Sequence, residues 1–178
     1  SDGSAAAIVC TEQGLQRLGL DRRRCIRIAA SVIRSFTHRS LDEPERNIGR
    51  LAALQAYELA GLGPHEMDVA EVHDASAMGE IIQAENLGFV PLGQAGPAAE
   101  RGEFSLGGRI PINPSGGLES KGHPLGATGI AQLYELVTQL RGEAGARQVE
   151  GARHAIQENG GGMLGIEEAA VAIHILSR

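Results

Sequence analysis

The feature that most constrains this chain is where its glycines fall. They gather in the second half, at Gly107-Gly108, Gly116-Gly117, Gly122, Gly126, Gly129 and Gly160-Gly161-Gly162. Glycine makes up 25 of the 178 residues, about twice the usual ~7 % share. No Gly-X-Y period accompanies it, so fibrous repetition is excluded. Clustered glycines between apolar runs mean tight turns and close backbone approach, and they mark where a site should be sought. Hydrophobic residues make up 42 % of the chain, ample for a packed core and far from a disordered composition. The length suits one ordinary α/β domain.

Charge and cysteine content exclude several functions. Sixteen basic against 22 acidic residues leave a net charge of −6, which argues against a nucleic-acid-binding surface. No run approaches the ~18 apolar residues of a membrane span, and the N-terminus lacks a signal pattern. Cys10 and Cys25 are the only cysteines and form no CxxC, so a disulfide framework and a cysteine-based zinc site are not expected. The composition implies a cytoplasmic globular domain without a metal.

The hydrophobic pattern predicts an alternation of strands and helices. Ala5 to Cys10 reads as a buried strand, Glu12 to Leu18 as a short helix closed by Gly19, and Cys25 to Val32 as the next strand. Asn47 caps a helix over Ile48 to Ala60, with Ile48, Leu51, Ala52, Leu54, Ala56, Leu59 and Ala60 as its apolar face. Met67 to Val72 is a short strand leading into His73-Asp74, and Ser76 caps a helix to about Leu87. Pro91 to Leu118 shows no sustained period and reads as a long loop. Pro124 opens a helix running to about Arg141. Ala152 to Glu158 and Ala169 to Leu176 are closing strands around the glycine triplet. The expected architecture is layered α/β with a mixed β-sheet packed by helices.

Three places could carry chemistry. His123 directly precedes the predicted helix start, where amides and the dipole disfavour imidazolium and suit a base or an oxyanion donor; a polar turn in a glycine-rich bend is the plainer reading. His73 lies at a strand's carboxyl end, where α/β sheets place ligands, or is half-exposed beside a helix cap. Glu158-Asn159-Gly160-Gly161-Gly162 lets backbone amides approach a substrate, or is a tight turn. Cys10 and Cys25 read as inert core fillers inside apolar strands. His38, His65, His154 and His174 read as surface or structural groups.

Together, Asn113-Pro114-Ser115-Gly116-Gly117 and Gly122-His123-Pro124-Leu125-Gly126-Ala127-Thr128-Gly129 resemble the C-terminal half of a thiolase. Val72-His73-Asp74 resembles the sterol-carrier branch, where other thiolases carry Asn-Glu, and Gln139 to Gly145 continues the likeness. The resemblance covers essentially the whole chain, with residues 1–11 similar to the last strand of a thiolase N-terminal half. It implies acyl transfer on 3-oxoacyl-CoA, by thiolysis or Claisen condensation, with coenzyme A thioester as substrate and no separate cofactor. His123 would activate a cysteine carried by the N-terminal half and help bind the thioester oxygen. His73 would stand where the family's Asn holds an oxyanion-hole water, and the Gly160 amide would line a second oxyanion hole.

Two departures accompany the likeness. Glu158 occupies the usual second cysteine position, and Ala75 the position of the sterol-carrier branch's cysteine. Glu158 is then the candidate acid/base if burial raises its pKa, or else a solvated strand-end carboxylate. The rival readings are a retro-aldolase acting on steroid-type CoA side chains with a partner protein, and a non-catalytic assembly subunit. On the thiolase reading, His73 and His123 should face one pocket. The chain should expose the apolar face that meets the N-terminal half and form a homodimer. Without the nucleophilic cysteine it should catalyse nothing alone.

Overall fold

The computed structural model describes all 178 residues. Four strands, β1 (Arg27–Ser35), β2 (Val69–Glu71), β3 (His154–Leu164) and β4 (Glu167–Ser177), form one mixed sheet in the order β1-β4-β3-β2. β4 runs antiparallel to both β1 and β3, whereas β2 lies parallel to β3. A parallel bridge from Ala70 to Ile112 extends the β2 edge. Period-two alternation sends Ile156, Val171, Ile173 and Ile175 into one core and Ala155 and Leu176 into another on the opposite face.

Helices α1 (Glu12–Leu18), α2 (Ile48–Ala60), α3 (Ala77–Asn86), α4 (Ala95–Glu100), α5 (Gly117–Lys121) and α6 (Thr128–Arg141) complete the chain. α2 packs on β1 and β4, while α6 covers the other face through Leu136 and Leu140. The caps read from local chemistry are present. Thr11 and Asn47 accept from backbone N–H groups, Gly19 and Gly61 end α1 and α2 with positive φ, and Ser76 accepts from Gly79 N–H at 3.2 Å.

Several expectations are corrected. Ala5 to Cys10 forms no strand: residues 1–10 are largely exposed and join no sheet, because a strand needs a partner to take its backbone groups. Cys10 is therefore exposed and Cys25 half-buried; neither sits in a strand. Asp21 caps a 3₁₀ turn over Arg22–Arg24 that delays β1 to Arg27. In α2 the buried face is Ala52, Ala53 and Ala56 flanked by Ile48 and Tyr57, while Leu54 and Leu59 face outward. Small alanines let the helix approach the sheet closely. The stretch after Pro91 contains α4 and the start of α5, too short to show a period. Gly160-Gly161-Gly162 lies inside β3, and the hairpin turns at Gly165 and Ile166 instead.

Candidate functional site

Residues 71–74, at the carboxyl end of the edge strand β2, organise the glycine-rich loop after Ile112. Glu71 accepts from Ser115 N–H at 3.1 Å and from Ser115 Oγ at 2.7 Å. Val72 N–H donates to Asn113 Oδ1 at 2.8 Å, and Asp74 Oδ1 accepts from Leu118 N–H at 2.7 Å. His73 N–H turns the other way and donates to Glu158 Oε2 at 2.9 Å. Asn113 adopts φ +51°, a left-handed conformation that Asn tolerates, and its amide also donates to Glu80. Sequence reasoning missed Glu71, Asn113 and Ser115 as loop anchors, because each partner lies more than 30 positions away.

The loop delivers His123 to this strand end. Pro124 does not open the helix, and His123 does not directly precede it: Pro124 to Ala127 form a turn, and α6 starts at Thr128. Thr128 Oγ donates to the Pro124 carbonyl at 3.2 Å and lies 2.7 Å from His123 Nδ1. With its proton committed to a carbonyl, the hydroxyl accepts from Nδ1–H, leaving a lone pair on Nε2. The His73 and His123 ring centroids are 4.9 Å apart in an edge-to-face arrangement. Burial, then the neighbouring His123, hold the His73 imidazole below its ordinary pKa. The two histidines, fifty positions apart in sequence, thus share one place.

Glu158 on β3 closes the base of the site. It has no exposed surface, and its Oε1 has no hydrogen-bond partner. Burial first, with help from Glu168 and Asp74 and against the His73 N–H bond, pushes its carboxyl up to about 8. Burial likewise pushes Glu71 up to about 7, against the Ser115 bonds and Lys121. Glu158 therefore carries a proton at neutral pH. Two strand positions on, Gly160 is buried opposite Val171, with the Glu168 side chain over the space a Cβ would take.

These raised values make stability fall with rising pH. An unfolded carboxyl titrates near ~4.3. Between that value and the raised folded values the native state binds more protons than the unfolded chain. The contribution of these two groups is fully present below the unfolded value and is lost as pH rises through about 7 and 8. Thermal melts should show Tm dropping by on the order of 5 °C between pH 5.5 and 8.5. Glu158→Gln, isosteric and uncharged, should flatten that slope. A Tm that rises across this window would contradict the buried, protonated carboxyls.

A second group that sequence reasoning missed lies beneath the rings. Gln157 and Asn159 both donate to Gln132 Oε1, and His174 joins them at 2.6 Å from Gln157. His174 is thus a network member, not an isolated structural group. A signal existed: Gln132 sits four residues after Thr128, on the face of α6 that should be apolar. The remaining concavities differ in kind. A groove of about 1080 Å³ lies between residues 6–10 and α6, lined mostly by apolar side chains with neither His73 nor His123 among them.

Known proteins place this arrangement. The profile of the thiolase C-terminal domain-like family matches residues 33–178. Sterol carrier protein 2 of Rattus norvegicus is 46 % identical over 176 residues, covering 96 % of this chain and 31 % of that protein. An acetyl-CoA acetyltransferase of Methanothermobacter thermautotrophicus is 43 % identical over 181 aligned positions, covering 100 % of this chain and 45 % of its own. The chain thus spans less than half of these relatives' length, 31 % of one and 45 % of the other. Among solved structures, the Ltp2-ChsH2(DUF35) aldolase shares the fold, with TM-score 0.71 and 23 % identity over 85 % of this chain and 39 % of that one. The layered α/β fold with its mixed sheet and the likeness to the sterol-carrier branch both stand, and the chain belongs to the thiolase C-terminal domain-like family.

Proposed function

We propose that this chain is the C-terminal half of an acyl-CoA acyltransferase that cleaves 3-oxoacyl-CoA by thiolysis or runs the reverse Claisen condensation. The pairing of His73 and His123, with ring centroids 4.9 Å apart at one strand end, carries the reading. His123 Nε2 takes the proton of a cysteine supplied by the N-terminal half, as a thiol nucleophile requires. That thiolate attacks the 3-oxo carbonyl, the C2–C3 bond breaks, and the acetyl-CoA enolate leaves. Glu158 gives its carboxyl proton to the enolate carbon and recovers it in the condensation direction. His73, protonated His123 and the Gly160 amide are the donors to the developing oxyanions, each worth a few kcal/mol. Incoming coenzyme A then gives its thiol proton to the Glu158 carboxylate and takes the acyl group from the cysteine, whose leaving thiolate recovers its proton from His123. Coenzyme A is substrate here, and no separate cofactor is required.

The same proposal makes the N-terminal half and a second copy the protein partners, in the cytoplasm. Outward-facing Ile33, Leu54 and Leu59 supply apolar surface for such contacts. The 178 residues alone should be inactive. His123 Nδ1 engages Thr128, and Cys25 Sγ faces the Asp21 carbonyl at 3.6 Å, so neither ring nitrogen nor thiol is paired with the other. Purified chain mixed with acetoacetyl-CoA and CoA should leave the enolate absorbance unchanged and acquire no acyl adduct by mass spectrometry. The full-length protein should consume the substrate. An acyl group on Cys10 or Cys25 that added CoA removes would overturn this account. Glu158 and Ala75 at both family cysteine positions favour one rival, a retro-aldolase on steroid-type CoA side chains. A full-length protein that cleaves such an aldol but leaves acetoacetyl-CoA intact would establish it.

A further inference from the structure

Four polar side chains beneath the two rings form one directed hydrogen-bond chain. Gln132 Nε2 donates to the Glu158 backbone carbonyl at 3.0 Å. Gln132 Oε1 accepts from Gln157 Nε2 at 2.8 Å and from Asn159 Nδ2 at 3.0 Å. Asn159 Nδ2 also faces His73 Nδ1 at 3.5 Å, a long contact, while Gln157 Oε1 lies 2.6 Å from His174 Nδ1. Gln132 and Gln157 are each 1 % exposed, so water cannot substitute for these partners.

One backbone group dictates every direction in this chain. A carbonyl only accepts, so Gln132 must turn its N–H toward Glu158 and its oxygen toward the strand. That oxygen also only accepts, so Gln157 and Asn159 both turn their NH₂ groups to it. The second Asn159 N–H then points at His73 Nδ1, where a ring proton would meet it head-on. His73 Nδ1 must hold a lone pair, which leaves the ring proton on Nε2. At the other end the Gln157 oxygen requires a proton on His174 Nδ1.

We propose that Gln132 is a positioning residue that, through Asn159, holds His73 as its Nε2–H tautomer and so makes it a hydrogen-bond donor to the acyl-thioester oxygen. The donor role rests on the acyl-transfer reading; the tautomer does not. His123, with Nδ1–H committed to Thr128, presents the opposite face, a lone pair on Nε2. One acceptor and one donor side by side divide the two tasks of taking a thiol proton and binding an oxyanion. Two imidazoles in the same tautomer could not.

Long-range ¹H–¹⁵N correlation on ¹⁵N-histidine-labelled protein near pH 7.5 reads each ring nitrogen as protonated or bare. His73 should be protonated at Nε2 and bare at Nδ1, with His123 and His174 the reverse. Asn159→Asp replaces the donor with an acceptor and should draw the His73 proton to Nδ1. Gln132→Leu should release Asn159 and mix the His73 tautomers while His123 keeps its own. In the full-length enzyme Gln132→Leu should lower kcat about tenfold with KM little changed. A wild-type His73 protonated at Nδ1 or averaged between tautomers would overturn the proposal, as would Asn159→Asp leaving the proton on Nε2. Those two measurements decide the matter even if Gln132→Leu does not fold. The expected tautomers without acyl transfer would count against the proposed function alone, and acyl transfer with the wrong tautomer against the relay alone.

Discussion

His123→Ala in the full-length protein is expected to lower kcat for thiolysis of acetoacetyl-CoA by about 10³-fold, within the range that loss of a general base costs. The His123 ring touches Thr128 and His73 and is only half-buried, so truncation should leave the fold intact. Circular dichroism on the same preparation checks that. Thr128→Val keeps the shape but removes the acceptor that orients Nδ1–H, and should cost about twofold, since the productive tautomer then becomes one of two. The order matters as much as the size. If His123→Ala retains wild-type kcat, the acyl-transfer site is elsewhere; if Thr128→Val is as damaging as His123→Ala, the threonine does more than orient the ring.

Gly117→Ala is expected to produce the largest loss of stability among single-atom-group changes in the site loop. Gly117 holds φ +60°, and an added Cβ would lie inside the van der Waals envelope of the Asp74 carboxylate. That carboxylate cannot move aside cheaply, because it accepts the buried Leu118 N–H at 2.7 Å. Strain and the lost bond together should cost about 3 kcal/mol, or a Tm drop of about 10 °C for a chain of this size. Gly126→Ala is the control, since its Cβ would meet nothing within 4 Å, and it should be neutral or slightly stabilising. Equal melting temperatures for the two variants would show that the Asp74–Leu118 clamp does not hold the loop. Because the clamp adjoins His73, Gly117→Ala should also reduce full-length activity at temperatures where the protein remains folded.

Much of this protein was legible because its signals act within a few residues. Thr11, Asn47 and Ser76 cap the next turn, and Gly19 and Gly61 end helices through their own φ, so α1 and α2 match their expected limits. Ala5 to Cys10 failed for the opposite reason: apolar composition is local, but a strand exists only with a partner. The glycine triplet failed likewise, since Gly160 belongs to β3 only through its pairing with Val171 in β4. His73 and His123 could be singled out by their places after a strand and within a glycine-rich loop. Their approach depends on Asp74 and Glu71 gripping residues more than 40 positions away.

The sequence by itself determined the layered α/β class, most helix limits, the loop that carries His123 and the family. Those rest on hydrogen bonds and steric preferences between near neighbours, which residue types report directly. Tertiary structure alone decided that Glu158 is sealed from water with an unpaired oxygen, that Gln132, Gln157 and Asn159 form one chain, and which partners face the Nδ1 atoms of His73 and His123. Burial and proton position are not properties of a residue. They arise from the groups that fold against it, and here those groups come from three separate stretches of the chain.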